Sequence, residues 1–443
     1  MKVLLIYPDR YFGKKGRRVP PILVPPLNLL TLGALTPPEV EVRLIDERVE
    51  DINFDIDVDL VGITALTADA IRAYEIADEF RSRGVKVVMG GIHPTVMPEE
   101  ARQHADCVVV GEAEEIWPQL LEDFKENRMK EMYIPAKFPD LSLTPPQRRD
   151  LLRPNIRYIN LLQTTRGCPY NCSFCSVSQV FGRKVRTRSL ESIEKEVSSF
   201  PGKSMYIVDD NILAIPSFSS RLFSLLKGLN KKWLAQASIN LLDKFDHLLA
   251  EAKKAGCEGF FVGFESISPQ NLKKISKTHN LVRRYKEVIK KVHDLGMAII
   301  GSFMFGFDED DDSVFYRTLE FVKKAKIDLA SFTLLTPLPG TRLFKEMEKE
   351  RRIITRDWSK YDCAHVVFKP LKISAEKLQE GLYWMYREFY RMGEIIKRII
   401  RGFRYMHLLF PLNLAYRIVG KRGYADFQPK KDTVKKFCEE QES

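Results

Sequence analysis

Three cysteines fall within one short stretch, Thr165-Arg-Gly-Cys168-Pro-Tyr-Asn-Cys172-Ser-Phe-Cys175, with three and then two residues between them. Three thiolates this close together suit a cubane iron–sulfur cluster that takes its fourth ligand from elsewhere. An iron that is left open in this way can bind and activate a small molecule. The stretch therefore predicts a [4Fe–4S] site with Cys168, Cys172 and Cys175 as metal ligands.

Two other uses of cysteine fit this sequence less well. Structural zinc normally has four Cys or His ligands, and no histidine lies within the cysteine loop or soon after it. The remaining cysteines are all distant in sequence: Cys107, Cys257, Cys363 and Cys438. Seven cysteines in 443 residues is a sparse and odd number, which disfavours a disulfide framework.

The cysteine loop lies in a part of the chain where strands and helices alternate. Six apolar runs predict strands, at 160–164, 205–208, 233–237, 259–263, 298–304 and 329–335. Helical runs such as 241–255 and 282–295 separate them. The pattern predicts a partial (β/α)6 barrel over residues 157–345. In such barrels functional groups gather where the strands end, and the cysteine loop directly follows the first strand.

The N-terminal part of the chain alternates in the same way. Strands are predicted at 2–7, 40–45, 60–64, 85–89 and 107–110, with helices between them. This predicts a Rossmann-like domain with a parallel sheet over residues 1–130. Ligands of such sheets bind beyond the carboxyl ends of the strands. Because no G-x-G-x-x-G follows a strand, the domain lacks a dinucleotide fingerprint.

The rest of the chain consists of a linker between the two domains and a C-terminal region, which we call the tail. Residues 131–156 carry five prolines among charged residues and are predicted to be a linker. Residues 346–443 are predicted to be a mostly helical, basic C-terminal region, and 391–443 contain 12 Lys/Arg against 6 Asp/Glu. An apolar helical stripe that begins at Ile395 and Ile396 either packs on the protein itself or lies on an anionic membrane surface.

Charge and hydropathy narrow the function classes further. The net charge of +11 favours phosphate-rich or anionic partners, although a solvated basic surface explains it equally well. The N-terminus reads as a first strand rather than as a signal peptide, and no apolar window has the length of a spanning helix. We therefore expect a cytoplasmic protein. Residues 391–422 are the segment through which it would contact a membrane surface peripherally.

The cysteine loop resembles the signature of radical S-adenosylmethionine (SAM) enzymes, including the aromatic Phe174 before the last cysteine. The resemblance implies that SAM chelates the open iron and that the reduced cluster cleaves SAM to a 5′-deoxyadenosyl radical. It also implies a one-electron reductant such as flavodoxin or ferredoxin. Phe174, Gln236, Ser238 and Glu265 are the expected SAM contacts. Asp209 and Asp210 are expected either to orient polar groups of SAM or substrate or to cap a helix.

The first domain resembles the cobalamin-binding domain that precedes many radical SAM cores. The matching segments are Pro25-Pro26-Leu-Asn-Leu-Leu, Asp59-Leu-Val-Gly-Ile-Thr64, Gly90-Gly-Ile-His-Pro-Thr95 and Val110-Gly-Glu112. The resemblance implies cobalamin contacts from Thr64, Gly90, Gly91, His93, Gly111 and Glu112. The Asp-x-His-x-x-Gly motif of other cobalamin proteins is absent, since Asp9-Arg-Tyr-Phe-Gly13 follows the first strand. His93 is either a cobalt ligand or a histidine fixed in a turn.

Together these resemblances imply a cobalamin-dependent C-methyltransferase that abstracts hydrogen from an unactivated carbon. The basic, apolar tail favours a lipid, isoprenoid or tetrapyrrole-like substrate. A radical SAM cyclase or rearrangement enzyme without cobalamin is the alternative among enzymes. An RNA methylthiolating enzyme is disfavoured because the first domain has one cysteine, Cys107, where a second cluster needs three. A non-catalytic cobalamin or nucleic-acid binding module is the alternative of another class, and a nucleic-acid partner is not expected.

Overall fold

The first sheet occupies the N-terminal part of the chain. In the computed structural model, which describes residues 1–11, 23–402 and 409–418, this sheet has six parallel strands in the order β2-β1-β3-β4-β5-β6. The strands are β1 (Lys2–Tyr7), β2 (Glu41–Asp46), β3 (Leu60–Thr64), β4 (Lys86–Gly90), β5 (Cys107–Val109) and β6 (Met132–Tyr133). The order reverses beside β1, as in doubly wound folds.

Helices cover both faces of this sheet. They are α1 (Leu27–Leu35), α2 (Ala70–Ser82), α3 (Ile92–Val96), α4 (Pro98–His104) and α5 (Ile116–Lys125), with a 3-10 turn at Thr67–Asp69. β3 is buried along its whole length, because a parallel strand with helices on both faces has no solvated side. One core contains Val61 and Phe80 and the other Leu5 and Trp117.

The second sheet contains the strands predicted around the cysteine loop. The strands of this part are β7 (Leu161–Leu162), β8 (Thr165–Arg166), β9 (Arg186–Thr187), β10 (Ser204–Ile207), β11 (Lys232–Ala237), β12 (Cys257–Glu265), β13 (Ala298–Phe305) and β14 (Leu329–Leu334). β8 and β9 form a small antiparallel hairpin. The other six are parallel in the order β14-β13-β12-β11-β10-β7, which is the partial barrel expected from the sequence.

Helices connect these strands on the outside of the barrel. They are α6 (Val177–Val180), α7 (Leu190–Ser199), α8 (Pro216–Gly228), α9 (Ile239–Lys244), α10 (Asp246–Lys254), α11 (Pro269–Lys274), α12 (Tyr285–Asp294), α13 (Val314–Lys324) and α14 (Arg342–Lys349). Strand residues alternate between a buried outer side under these helices, such as Trp233 and Ala235, and a partly exposed inner side, such as Leu234 and Gln236. The inner side therefore lines an accessible cavity.

The C-terminal helices pack against the second sheet and its helices. α15 (Ala375–Phe389) packs on β14, and the hydroxyl of its Tyr386 donates to the Phe332 carbonyl. α16 (Met392–Arg401) follows, and residues 409–418 are also helical. Among the described residues, no helix has both the length and the apolar character that crossing a membrane requires.

The structure departs from the expected layout in two places. β6 lies inside the segment predicted as a linker, and it extends the first sheet by pairing with β5. Phe344, Trp358 and Tyr361 belong to the core of the first domain, so the segment after the barrel returns to the N-terminal sheet. Gly13, Cys438 and two parts of the segment 391–422, namely 403–408 and 419–422, lie outside the described residues.

Candidate active site

The cysteine loop starts where β8 ends and is held by backbone hydrogen bonds on both sides. The Cys168 amide donates to the Gly182 carbonyl over 3.3 Å. The Ser173 amide donates to the Ile275 carbonyl over 3.0 Å, and the Ser173 carbonyl accepts from the Leu343 amide over 2.9 Å. These bonds tie the loop to the chain that follows α6, to the end of α11 and to the start of α14. The loop therefore has a fixed shape at the mouth of the barrel, which we define as the carboxyl ends of its strands.

Two aspartates after β10 fix the start of the same loop. The Asp209 carboxylate accepts from the amides of Thr164 (2.6 Å) and Thr165 (3.0 Å) and from the Thr164 hydroxyl. The Asp210 carboxylate accepts from the Gly167 amide over 3.1 Å. Burial raises the pKa of Asp210 to about 6. Neither of the two expected roles describes these contacts, because the two side chains clamp the backbone that leads into the cysteine loop.

The donor set fits an iron–sulfur cluster better than a single metal ion. Cys168, Cys172 and Cys175 are all partly exposed free cysteines at the mouth. Within the part of the chain that the structure describes, no three His, Cys, Asp or Glu side chains converge as ligands of one metal ion. Burial raises the pKa of the Cys172 thiol, and the nearby Lys277 ammonium opposes this shift. A positive charge near the loop favours the thiolate form in which cysteine ligates metal.

Glu265 and Lys277 form a buried ion pair inside the mouth. β12 has an irregular register between Gly263 and Glu265, and Glu265 has a φ of 62°. This left-handed backbone directs the carboxylate to Lys277, whose Nζ lies 2.5 Å from Oε1. Lys277 in turn lies 6.0 Å from the centre of the Phe174 ring. Two expected SAM contacts, Phe174 and Glu265, are thus brought together by a lysine that the sequence reasoning missed.

Gln236 and Ser238 end the neighbouring strand β11. The Ser238 hydroxyl accepts from Asn211 Nδ2 over 2.8 Å, and the Gln236 carbonyl accepts from the Ile212 amide over 3.0 Å. Both side chains are partly exposed on the inner side of the barrel. Their positions are compatible with the contacts expected of them, next to Glu265 on the adjacent strand.

The carboxyl edge of the first sheet consists mainly of backbone. Gly90, Gly91 and Gly111 are partly exposed where β4 and β5 end, and Gly91 and Gly111 have φ values of 96° and 84°. A Cβ on Gly91 would lie 3.0 Å from the Ala65 nitrogen and carbonyl oxygen, so only glycine fits there. Thr64 is buried and its hydroxyl accepts from Asn28 Nδ2. Partly exposed backbone at this edge allows a large ligand such as cobalamin to approach closely.

His93 has the contacts of a structural residue. Its ring is fully buried in α3, with Nδ1 3.4 Å from the Thr67 hydroxyl and Nε2 3.4 Å from Glu100 Oε1. Trp358 packs edge-on against the ring at 5.4 Å between centroids. The structure therefore favours the alternative of a fixed histidine over that of a cobalt ligand, although the residue lies in the short helix α3 rather than in a turn.

Glu112 connects the two sheets instead of facing an open crevice. Its buried carboxylate pairs with Arg166 and Arg186 at 2.5 Å each, and Arg166 also pairs with Glu114 at 2.5 Å. Arg166 directly precedes Gly167 in the chain that enters the cysteine loop. α3 also contacts α6 just beyond that loop. The edge of the first sheet is thereby held against the mouth of the barrel.

Comparison with known proteins agrees with this arrangement. The model of the radical SAM superfamily matches residues 162–322, and the model of the B12 binding domain matches residues 24–121. Bacteriochlorophyllide d C-12(1)-methyltransferase of Chlorobaculum tepidum is 36% identical over 84% of this chain and 84% of its own length. The C-8(2)-methyltransferase of the same organism is 34% identical over 90% of this chain and 92% of its own length.

The chain belongs to the radical SAM superfamily. It also carries the B12-binding domain, so it is an enzyme whose cofactors are a [4Fe–4S] cluster, SAM and cobalamin, and its relatives identify it as a methyltransferase. The structure of OxsB, a cobalamin-dependent SAM radical enzyme, aligns with a TM-score of 0.68 at 17% identity, over 97% of this chain and 73% of that chain. This likeness shows that the two proteins share a fold.

The radical SAM core also contains a polar group that the sequence did not reveal. The Tyr170 ring of the cysteine loop stacks on His279 at 3.6 Å between centroids, and Asn240 Nδ2 donates to the Tyr170 hydroxyl over 2.6 Å. Burial lowers the pKa of His279 to about 4, so its ring is neutral near pH 7. Its Nε2 and Asn240 Oδ1 are buried without hydrogen-bond partners in the described structure. No spacing rule links residues 170, 240 and 279, so only the fold brings them together.

Proposed function

We propose that this enzyme methylates an unactivated carbon of a tetrapyrrole substrate. When bound, the cluster and SAM supply a radical that removes hydrogen from carbon, and cobalamin supplies the methyl group. The observation that carries the proposal is the contact between the two carboxyl edges, where Glu112 and Glu114 hold Arg166 next to the cysteine loop. A substrate between these edges would face both cofactors.

Each edge has its own task in this proposal. Cys168, Cys172 and Cys175 hold the cluster, and the loop that carries them is kept in place by Asp209 and Asp210. Glu265, paired with Lys277, together with Gln236, Ser238 and Phe174, surrounds SAM. Thr64, Gly90, Gly91 and Gly111 form the backbone edge that receives cobalamin. His93 and Glu112 act through the packing and ion pairs that keep this edge in position.

The tetrapyrrole class is favoured by the relatives at 36% and 34% identity, which are named for bacteriochlorophyllide. Lipid and isoprenoid substrates, also expected from the tail, become the alternatives that the experiment distinguishes.

The deciding experiment is an assay with labelled methyl groups. Protein reconstituted anaerobically with iron, sulfide and hydroxocobalamin is incubated with dithionite, methyl-deuterated SAM and a panel of bacteriochlorophyllides, porphyrins and hopanoids. We expect 5′-deoxyadenosine and a tetrapyrrole product heavier by one labelled methyl group. Labelled hopanoid without labelled tetrapyrrole would contradict the substrate class. SAM cleavage in protein that binds no cobalamin would favour the cyclase alternative.

We also propose that the C-terminal helices rest on an anionic membrane surface. Ile395 is buried, whereas Ile396 and Ile400 are 50% and 71% exposed, so the predicted stripe is divided between the core and the solvent. Exposed apolar side chains recur at four-residue intervals on both helices: Met392, Ile396, Ile400, Phe410, Leu414 and Ile418. Arg398 donates to Asn413 Oδ1 over 2.8 Å, which joins the two helices. The surplus of six positive charges in 391–443 matches anionic lipid.

Vesicle flotation tests this location independently of catalysis. We expect the full chain to float with phosphatidylglycerol vesicles and not with phosphatidylcholine vesicles. Ile396→Glu combined with Ile400→Glu should reduce the bound fraction at least fivefold. Leu143→Glu combined with Ile134→Glu is the matched control, because Leu143 and Ile134 are 79% and 66% exposed in the connecting segment. Equal flotation of the double variant and the control would contradict the proposal, as would a lack of vesicle binding by the wild type.

A further inference from the structure

A basic groove lies beside the cysteine loop, between the connecting segment and the barrel. Its volume is about 520 Å³. Residues 137–142, residues 184–187 and the first turns of α8 form its walls. The charged side chains that line it are Lys137, Asp140, Lys184, Arg186 and Arg221. Four positive charges against one negative charge give this surface a strong preference for an acidic partner.

Most of this positive charge is available to a partner. Arg186 is neutralised by Glu112. Lys137, Lys184 and Arg221 are exposed, and among the described residues none of the three forms an ion pair. Phe138 also lines the groove, is 47% exposed and lies 4.7 Å from the Arg186 guanidinium, measured to the centre of its ring. An exposed aromatic side chain within a charged rim is typical of a surface that binds another protein.

The groove is separated from the cysteine loop by a single layer of chain. The carbonyl of Gly182 accepts from the Cys168 amide, and the Arg183 guanidinium donates to the Pro169 carbonyl over 3.2 Å. The Lys184 carbonyl oxygen lies so close to Gly167 that a Cβ there would approach it to 2.7 Å. Segment 182–184 therefore touches the cysteine loop on one side and borders the groove on the other.

We propose that the basic groove is the docking surface for an acidic one-electron carrier protein of the flavodoxin or ferredoxin type. The inference rests on the proposed function, since it is the cluster at the cysteine loop that needs electrons. In the docked complex the reduced carrier loses one electron and is oxidised, and the cluster gains that electron and is reduced, with no transfer of protons or chemical groups. Charge complementarity accelerates such encounters and makes them sensitive to salt.

Charge reversal in the groove tests the proposal through binding as well as rate. The test variant is Lys184→Glu combined with Arg221→Glu. The control, Lys254→Glu combined with Lys286→Glu, has the same net charge and alters exposed lysines of α10 and α12. The dissociation constant of purified flavodoxin is measured by titration calorimetry at low and high salt. We expect it to rise at least tenfold in the groove variant, to stay unchanged in the control, and to rise with salt in the wild type.

Rate measurements then separate docking from cluster chemistry. With dithionite, a small reductant that needs no docking surface, the groove variant should cleave SAM at the wild-type rate. With reduced flavodoxin at low concentration, it should be at least fivefold slower than the control.

Equal flavodoxin affinity in the groove variant and the control would overturn the proposal, as would wild-type binding that does not respond to salt. Binding of anionic vesicles that is lost in the variant, with flavodoxin binding intact, would assign the groove to a membrane and also overturn it. A wild type that cleaves no SAM with dithionite would contradict the proposed function, and the calorimetry would still judge the docking surface.

Discussion

The two carboxyl edges that meet in this enzyme are built from different parts of the chain. The edge of the first sheet offers backbone, with Gly91 and Gly111 at positive φ. The mouth of the barrel offers side chains, namely the thiols of the cysteine loop and the Glu265–Lys277 ion pair. Where backbone holds a ligand, the shape of the chain is constrained, but few positions require a particular type of residue. Where side chains hold a ligand, particular types of residue are required at particular positions in the sequence.

Because of this difference, substitutions at the two edges should have different effects. At the mouth, replacing one side chain removes a chemical group, and the fold is expected to persist. At the edge of the first sheet, an added methyl group displaces backbone, so shape and binding change together. We therefore expect that each edge can be disabled without loss of the other.

Removal of one thiol should abolish the chemistry of the mouth and spare the first sheet. In Cys172→Ala, the cluster loses one of its three ligands in the loop, and we expect SAM cleavage to fall at least about 100-fold. Iron and acid-labile sulfide per chain should fall with it, while cobalamin binding is retained. The measurements are metal analysis and a 5′-deoxyadenosine assay after anaerobic reconstitution.

The control for the thiol is Cys257→Ala, which removes a cysteine that is buried in β12 away from the loop. This variant should keep the cluster even if it is less stable. Full SAM cleavage by Cys172→Ala would refute the assignment of the cysteine loop. A joint loss of cluster and cobalamin would show that the two edges are not independent.

A methyl group at Gly91 should produce the converse phenotype. Its φ of 96° and the approach of 3.0 Å to the Ala65 backbone make Gly91→Ala cost about 1–3 kcal/mol in backbone strain. We expect the edge to shift and the affinity for hydroxocobalamin to fall at least tenfold, measured by equilibrium dialysis. SAM cleavage with dithionite should continue, because the cysteine loop does not depend on this glycine.

Gly84→Ala is the matched control for Gly91, since Gly84 also has a positive φ, 81°, but a Cβ there meets nothing within 4 Å. It lies before β4, at the opposite end of that strand. Both variants carry the strain of a positive φ, but only Gly91→Ala adds a clash with backbone, and only this variant should lose cobalamin. Wild-type cobalamin affinity in Gly91→Ala would remove the edge of the first sheet from the proposed site.

The sequence predicted more of the fold than of the site, and the reasons are physical. Every predicted strand is present, because buried parallel strands are short apolar runs between turn residues. β6 was missed because two residues carry no periodicity. The tail stripe could not be assigned to one side, since Ile395 and Ile396 are neighbours on a helix and one of them faces the core while the other faces solvent.

Within the site, functional residues that lie close together in the sequence could be predicted. Functional residues that are far apart in the sequence could not. The cysteine loop spans 11 residues and contains its whole donor set. Lys277 carries no such signal, because its partner Glu265 lies 12 positions earlier on another element. The same holds for Glu112, which meets Arg166 across 54 positions. Glu112, for which a contact with cobalamin is predicted, forms ion pairs that join the domains.

Neutralising Glu265 should weaken SAM binding and leave the iron–sulfur cluster and the binding of cobalamin unchanged. Glu265→Gln leaves the buried Lys277 ammonium without its carboxylate, and loss of a charged hydrogen bond costs about 1.5–3 kcal/mol. We expect the dissociation constant of SAM to rise about tenfold, with cluster content and cobalamin affinity unchanged. Isothermal titration of the reconstituted enzyme measures it.

Glu309→Gln is the control for Glu265, because Glu309 also pairs with lysines, Lys274 and Lys372, but on the surface. It should leave the SAM affinity as in the wild type. An unchanged affinity in Glu265→Gln would show that the buried ion pair serves only to stabilise β12. Loss of the cluster in this variant would instead connect Glu265 to the cysteine loop.

The smallest expected effect concerns a buried carboxyl that shapes the mouth behind β13. Asp310 accepts from the amides of Gly306 (2.9 Å) and Phe307 (3.0 Å), and burial raises its pKa to about 6 from 3.8. Between these two values the folded protein binds more protons than the unfolded chain, so this group's contribution to stability is present at pH 4 and is lost as the pH rises to 6. A shift of two pKa units corresponds to roughly 2–3 kcal/mol.

Asp310→Asn, which does not titrate, should therefore gain stability relative to the wild type as the pH rises from 4 to 6, by up to this amount, and show no further relative change up to pH 8. Urea unfolding at each pH measures the difference. Asp311→Asn should show no such change between pH 4 and 8, because the hydrogen bond from Ser313 lowers the pKa of Asp311 and its contribution to stability is lost only as the pH falls below about 4. A constant difference between Asp310→Asn and the wild type across this range would mean that the Asp310 carboxyl stays ionised, held by its two backbone donors, and that burial at the mouth does not govern its charge.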